Sequence, residues 1–216
     1  MAKLPQQQQF LDAAPSLVQG VAVEGSHLHG LAHKASDIDL TVFTVNNSQD
    51  PQIRAAAKKV GVEVRIVTID SYLPLMENGA TWLSEVMFRR EDILWRKNAP
   101  YKAFFMGHSP SIYYYLINLE RSPRNYLTSC RHRPHDEAYV TKKLKHVARN
   151  IIQHRKLLDS LESGVPFDPE LTREEVSQIW EVDVPRFKAI LESGQHLSLQ
   201  ELAERMWGRE ILNYPE

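Results

Sequence analysis

Short β-prone runs and longer helical periodicities divide this chain into two halves of different character. Val21-Ala22-Val23 and Leu40-Thr41-Val42-Phe43 read as two neighbouring strands. A third strand is expected over residues 61–70, where Val62, Val64 and Ile66 fall on one face and Glu63, Arg65 and Val67 on the other. Before the first strand, the glutamine-rich start reads as a helix ending near Leu17. After the third, Ser71-Tyr72-Leu73 opens a helix with Asp70 as its N-cap. Val140, Leu144, Val147, Ile151, Leu158 and Leu161 recur at helical spacing, which predicts one amphipathic helix over residues 138–163, closed by Gly164 and Pro166. Residues 166–170 then break the pattern, Thr172-Arg173-Glu174-Glu175 reads as a capping box, and Leu197-Ser198-Leu199 opens a last helix. The first hundred residues thus run helix, strand, loop, strand, helix, strand, helix, and the chain after Tyr101 is almost wholly helical. The expected fold class is α+β: a small mixed sheet flanked by helices over residues 1–100, with a helical half over residues 101–216.

Composition adds little until charge is placed along the chain. Hydrophobic content of 43% and charged content of 25% are ordinary for a globular protein of 216 residues. No window is long and apolar enough to span a membrane, and the start of the chain lacks the apolar core of a signal peptide. No membrane partner is expected, and a cytoplasmic location is the default. The single Cys130 excludes an intramolecular disulfide. The total charge of −1 conceals an asymmetry: residues 121–156 carry ten Lys or Arg against only Asp136 and Glu137, a net +8 that leaves −9 elsewhere. Such a basic segment is the footprint of a polyanion-facing surface, for a nucleoside triphosphate or a nucleic-acid backbone.

Residues 25–40, GSHLHGLAHKASDIDL, join two strands and hold the most specific chemistry. Asp37 and Asp39 stand at i and i+2, so within a strand both would face the same side while Ile38 and Leu40 turn into the core. Two carboxylates on one face repel unless cations neutralise them. Magnesium suits that role, with manganese as the second candidate, because it takes hard oxygen ligands and bridges carboxylates to phosphates. Two such ions roughly 3.5–4 Å apart hold the attacking and leaving oxygens of an in-line displacement. Gly25-Ser26, with Gly30 five residues on, supplies a short glycine loop ahead of Ser36-Asp37-Ile38-Asp39.

This pattern resembles the DNA polymerase β-like nucleotidyltransferase superfamily, whose signature is Gly-Ser followed by Asp-x-Asp on the next strand. Three further blocks, at residues 78–88, 143–149 and 192–194, resemble the branch of predicted nucleotidyltransferases found beside RNA-repair ligases and in phage genomes. The resemblance implies Asp37 and Asp39 as metal ligands and a third carboxylate on a later strand, for which Glu63 is the candidate. Glu63 would bind metal or take the proton of the attacking hydroxyl. Alternatively, Glu63 is a plain exposed residue paired with Arg65. Gly25, Ser26, His27 and Ser36 would meet the nucleotide phosphates. The implied reaction moves a nucleoside monophosphate from a triphosphate to an acceptor, RNA, protein or small molecule, and releases pyrophosphate.

Lys143, His146 and Arg149 follow at i+3 steps along the predicted long helix and are candidates for holding the triphosphate. Tyr113, Tyr114 and Tyr115 offer either base stacking or helix packing. Glu85, Arg89 and Arg90 read as salt-bridging residues on a helix beneath the site. Neither His27, His29 and His33 nor Cys130, His132 and His135 match a usual four-ligand zinc spacing. Two alternatives stand beside nucleotidyl transfer. Arg149 and His154 fit the short Arg-x4-His pattern of HEPN-type ribonucleases, and the fold could serve as a non-catalytic nucleotide-binding protein.

Overall fold

The computed structural model describes residues 4–33 and 36–193. By contacts these form two compact units, one of the described residues up to 115 with 168–171, the other of residues 116–167 with 172–193.

The first unit is built on a four-stranded mixed sheet of order β3-β2-β1-β4. Its strands are β1 (Val18–Glu24), β2 (Asp39–Thr44), β3 (Glu63–Thr68) and the two-residue β4 (Leu94–Trp95). β1 pairs antiparallel with β2 and β4, while β2 and β3 run parallel. A parallel pair needs a crossover, here α3 (Asp50–Val60), which ends on Gly61 in the left-handed conformation at φ 76°. Leu40, Val42, Val62, Val64 and Ile66 pack with α1 (Pro5–Ala13) and α3 on one face of the sheet. Phe43 and Val67 face the other way, into a layer with Tyr72 of α4 (Ile69–Glu77), Leu83 and Val86 of α5 (Thr81–Phe88) and Phe105 of α6 (Lys102–Met106). The alternation read along residues 61–70 is the observed one.

Three local expectations need correction. The first helix stops at Ala13, not near Leu17, because the residue before a proline is pushed out of the helical region; Ala14 precedes Pro15 and is extended at ψ 152°. Asp70 is not a helix cap: Thr68 accepts from the Ser71 N–H in a capping box, and Asp70 sits in the first turn of α4. β2 begins at Asp39, so Asp37 precedes the strand. β1 ends at Glu24, where Gly25 turns away at φ 65°, and leaves the residues before Asp39 no antiparallel partner on that side.

The second unit is helical. It takes most of α7 (Ile112–His132), then α8 (Glu137–Ser163), α9 (Arg173–Gln178), a π-helical turn (Ile179–Asp183) and α10 (Val184–Glu192). α8 closes on Gly164 and α9 opens with the Thr172–Glu175 capping box, both as the sequence predicts. The apolar stripe of α8 holds only in its first half. Val140, Leu144 and Val147 are buried, but Ile151 and Leu158 are half-buried and Leu161 is 52% exposed. Ile152 and Leu157 are the buried apolar residues farther on, together with Lys145, Arg149, Asn150, Gln153 and His154. Four consecutive buried residues, 147–150, cover the whole circumference of the helix, so its middle is not amphipathic. The predicted helix from Leu197 lies outside the described residues. Among those residues no helix is long and apolar enough to cross a membrane.

Candidate active site

The strand register builds the site. Glu24 on β1 is the partner of Asp39 on β2, and Asp39 is the partner of Glu63 on β3. Three carboxylates therefore stand abreast across three neighbouring strands and project from the same face. Their exposure rises along the row: Glu24 is buried, Asp39 is half-buried and Glu63 is exposed.

Glu24 is the member that sequence reasoning missed. Its Oε2 accepts a 2.5 Å hydrogen bond from the Thr41 hydroxyl, and its Oε1 lies 3.5 Å from Arg65 Nη2. Burial pushes its carboxyl above the ordinary value of 4.5, against the opposing pull of Arg65 and the Thr41 hydroxyl; the charge of Asp39 adds to the rise. Arg65 stacks over the Trp82 ring at 4.4 Å to the centroid. Its ion pair is thus with Glu24, not with Glu63 as the alternative for that residue supposed. The available signal was position: Glu24 ends the first strand, two residues after the inward Ala22, directly before the glycine loop.

The connection from β1 to β2 is not a plain loop, because Gly25–Leu28 forms a single helical turn, α2. Gly25 lies against the metal-ligand candidate. A Cβ added to it would fall 2.6 Å from Asp39 Oδ2, and its φ of 65° is one that other residues adopt only with strain. The Asp39 carboxylate therefore touches the backbone where the turn begins. His27 is half-buried, and its Nε2 is buried without a hydrogen-bond partner. The Ser36 hydroxyl accepts from the His33 N–H at 2.9 Å and closes the far end of the connection, with Asp37 exposed beside it.

A buried clamp fixes this connection from below. His29 is fully buried; its Nδ1 lies 3.1 Å from the Pro169 carbonyl and its Nε2 3.0 Å from Glu85 Oε2 on α5. A carbonyl only accepts, so Nδ1 carries a hydrogen and donates it, and the single proton on the other side is shared between Nε2 and Glu85. Tyr115 donates to Glu85 Oε1 at 3.3 Å, and the Leu171 N–H donates to the His29 carbonyl. Arg89 salt-bridges as expected, with Asp92, Asp168 and Glu170, but it stands just past the end of α5, and Arg90 beyond it donates to the Met106 carbonyl.

Among the described residues no three His, Cys, Asp or Glu side chains converge as a ready-made metal cage. Magnesium does not need one, because it is commonly held by one or two carboxylates together with phosphates and water. The hard oxygens of Asp37 and Asp39 fit that pattern.

The other predicted nucleotide contacts lie on α8 of the second unit. Lys143 sits over the rings of Tyr126 and Tyr139, at 4.9 and 5.3 Å to their centroids. His146 stacks on Tyr126 at 5.6 Å, and Arg149 is buried, with its Nη2 donating to Asn150 Oδ1 at 2.9 Å. His154 is also buried, 3.1 Å from Glu120 of α7.

Residues 5–89 match the family model described as nucleotidyltransferase domain, a segment that runs from α1 through β1, β2 and β3 to the end of α5. The match supports a nucleotidyl transfer activity in general. Among curated proteins, none matches the chain.

Proposed function

We propose that the protein is a magnesium-dependent nucleotidyltransferase of the polymerase β-like type, in the branch found beside RNA-repair ligases and in phage genomes. The observation that carries this reading is the contact of Gly25 with Asp39 in a row of carboxylates on β1, β2 and β3. Asp37 and Asp39, with Glu63 as the third carboxylate, would hold the divalent cation, magnesium or manganese. When bound, that cation neutralises the phosphates and the charge of the displaced oxygen.

The chain's own groups have separate tasks. A helical turn presents backbone N–H groups at its start, the donors that suit phosphate oxygens, so Gly25, Ser26 and His27 would seat the triphosphate, with Ser36 at the far end. His29 and Glu85 keep that turn rigid. Glu63, the most exposed of the row, would take the proton of the acceptor hydroxyl. The hydroxyl oxygen then forms a bond to the α-phosphorus as the bond to pyrophosphate breaks, and Glu63 retains the proton. Lys143, His146 and Arg149 are proposed as cations for the triphosphate. The acceptor is RNA, a protein or a small molecule. No observation favours the ribonuclease alternative, and its histidine, His154, is engaged by Glu120.

Four nucleoside triphosphates labelled at the α-phosphate, each incubated with magnesium and candidate acceptors, test the reading. The expected result is label on one acceptor with pyrophosphate released, and neither from the Asp39→Asn variant. Equal transfer by wild type and Asp39→Asn would overturn it.

A further inference from the structure

Residues Asp168–Leu171 come from the far part of the chain, yet they belong to the first compact unit. They form neither helix nor strand, and Pro169 and Leu171 are buried. Irregular backbone that is buried needs hydrogen-bond partners, and His29 alone supplies two of them. Its Nδ1 donates to the Pro169 carbonyl at 3.1 Å, across 140 residues of sequence, and its own carbonyl accepts from the Leu171 N–H at 3.3 Å. A second fastening stands beside this one. Arg89, itself largely buried, donates to the Glu170 carboxylate and lies 3.6 Å from Asp168 Oδ1, which also accepts from the Glu170 N–H at 2.9 Å. Charge-assisted bonds of this kind are about twice as strong as neutral ones.

His29 also reaches the nucleotide turn through its backbone. The His29 N–H donates to the Gly25 carbonyl at 3.3 Å, the Gly30 N–H to the His27 carbonyl at 3.4 Å and the Leu31 N–H to the Ser26 carbonyl at 2.8 Å. Each of the three residues proposed to seat the triphosphate therefore has its carbonyl held by one of the three residues that begin with His29. The first of them, Gly25, lies against Asp39. Glu85 holds the other ring nitrogen of His29, so the ring cannot turn without breaking a buried bond. A shift of the strap at Pro169 is thereby carried through His29 to the start of the turn. These four strap residues lie outside the matched segment of residues 5–89, which thus does not contain every group that fixes its own turn.

We infer that His29 and the strap Asp168–Leu171 are positioning residues for the nucleotide: the strap holds His29, and His29 holds the turn that seats the triphosphate. What the turn binds rests on the transfer reading; the coupling of strap to turn does not. The test uses the full chain carrying Asp168→Asn/Glu170→Gln, which releases Arg89 and leaves the Pro169 carbonyl in place. Hydrogen exchange without nucleotide reads the coupling. The amides of His29, Gly30 and Leu31 are expected to exchange about tenfold faster than in wild type, with those of β1 unchanged. Initial rates with the triphosphate selected by the labelling assay, at a temperature below both melts, read the consequence. A displaced turn should lower kcat/KM by about 10- to 100-fold with a rise in KM, whereas a smaller folded fraction would lower kcat and leave KM alone. Glu170→Asp, which keeps the charge on Arg89, should restore KM to within about threefold of wild type. Lys188→Gln, which breaks an exposed ion pair of the helical unit, is the control expected to change neither exchange nor KM. Should the double variant lose its thermal transition, Pro169→Gly keeps the carbonyl, frees the strap backbone and is expected to raise both readings. Unchanged exchange at His29, Gly30 and Leu31, or faster exchange with an unchanged KM, would overturn the proposal. Wild-type protein that transfers no label would sink the transfer reading, and the exchange result alone would then decide the coupling.

Discussion

Replacing Gly25 with alanine tests the site more sharply than removing any carboxylate, because a second glycine, Gly61, provides a matched control. Gly25 and Gly61 share nearly the same left-handed backbone, at φ 65° and 76°. Forcing an L-residue into that conformation costs roughly 1–2 kcal/mol at either position. For a chain of this size each kcal/mol lowers Tm by about 2–4 °C, so both alanine variants should melt about 2–8 °C below wild type. Their surroundings differ. A Cβ at Gly61 meets nothing within 4 Å, whereas one at Gly25 falls 2.6 Å from Asp39 Oδ2. Contact that close forces the carboxylate or the turn to move by several tenths of an ångström, and misplacement on the scale of 1 Å at a reacting centre costs on the order of 100-fold in rate. Gly25→Ala should therefore lose most magnesium-dependent pyrophosphate release from the preferred triphosphate, and Gly61→Ala should keep it. Thermal melts and initial rates on the same preparations decide the matter. Equal rates in the two variants would refute the reasoning, because strain alone would then account for both.

Other outcomes follow from the same geometry. Asp39→Asn and Asp37→Asn should each abolish transfer with little change in melt, since neither swap alters side-chain volume; a fully active Asp39→Asn protein would remove the metal role. Glu63→Gln should lower kcat far more than it raises KM, the mark of a group acting at the transition state. Thr68→Ala, which removes the true cap of α4, should cost about 1 kcal/mol and leave turnover alone; the reverse ranking in kinetics and melts would exclude Glu63. Asp183 is buried, its Oδ2 has no hydrogen-bond partner, and burial holds its carboxyl above the ordinary 3.8. A raised carboxyl means that the unfolded chain gives up this proton first, so its contribution to stability is intact below pH 3.8 and is lost as pH rises through the raised value. The melt difference between Asp183→Asn and wild type should then move in favour of the variant as pH rises above 3.8, and a constant difference would show that Asp183 does not titrate in the folded protein as argued.

What the sequence disclosed, and what it hid, divides by the range of the interactions. Gly164 and the Thr172 capping box were legible because each is settled within a few residues. The face assignments of β3 were legible because alternation is a property of the strand itself. Pro15 also carried a local signal, and the correct end of α1 follows from it. Register is different, because it is fixed by what the other strands bury, and no local pattern placed Glu24 beside Asp39. Nor could periodicity show that the middle of α8 is enclosed on all sides, which moved Arg149 from an expected flank into a buried contact with Asn150.

Glu24 shows why the hidden part bears on chemistry. A buried carboxyl next to Asp39 is costly to ionise, and the protein offsets the cost with Thr41 and with an arginine held in place by Trp82. Both oxygens of Glu24 are thereby occupied, whereas Asp39 is half-buried with Oδ2 against Gly25 and Glu63 is exposed. The row therefore grades from a buried carboxyl that holds Arg65 to the exposed carboxylate of Glu63. Register across three strands is enough to give the three carboxylates different surroundings.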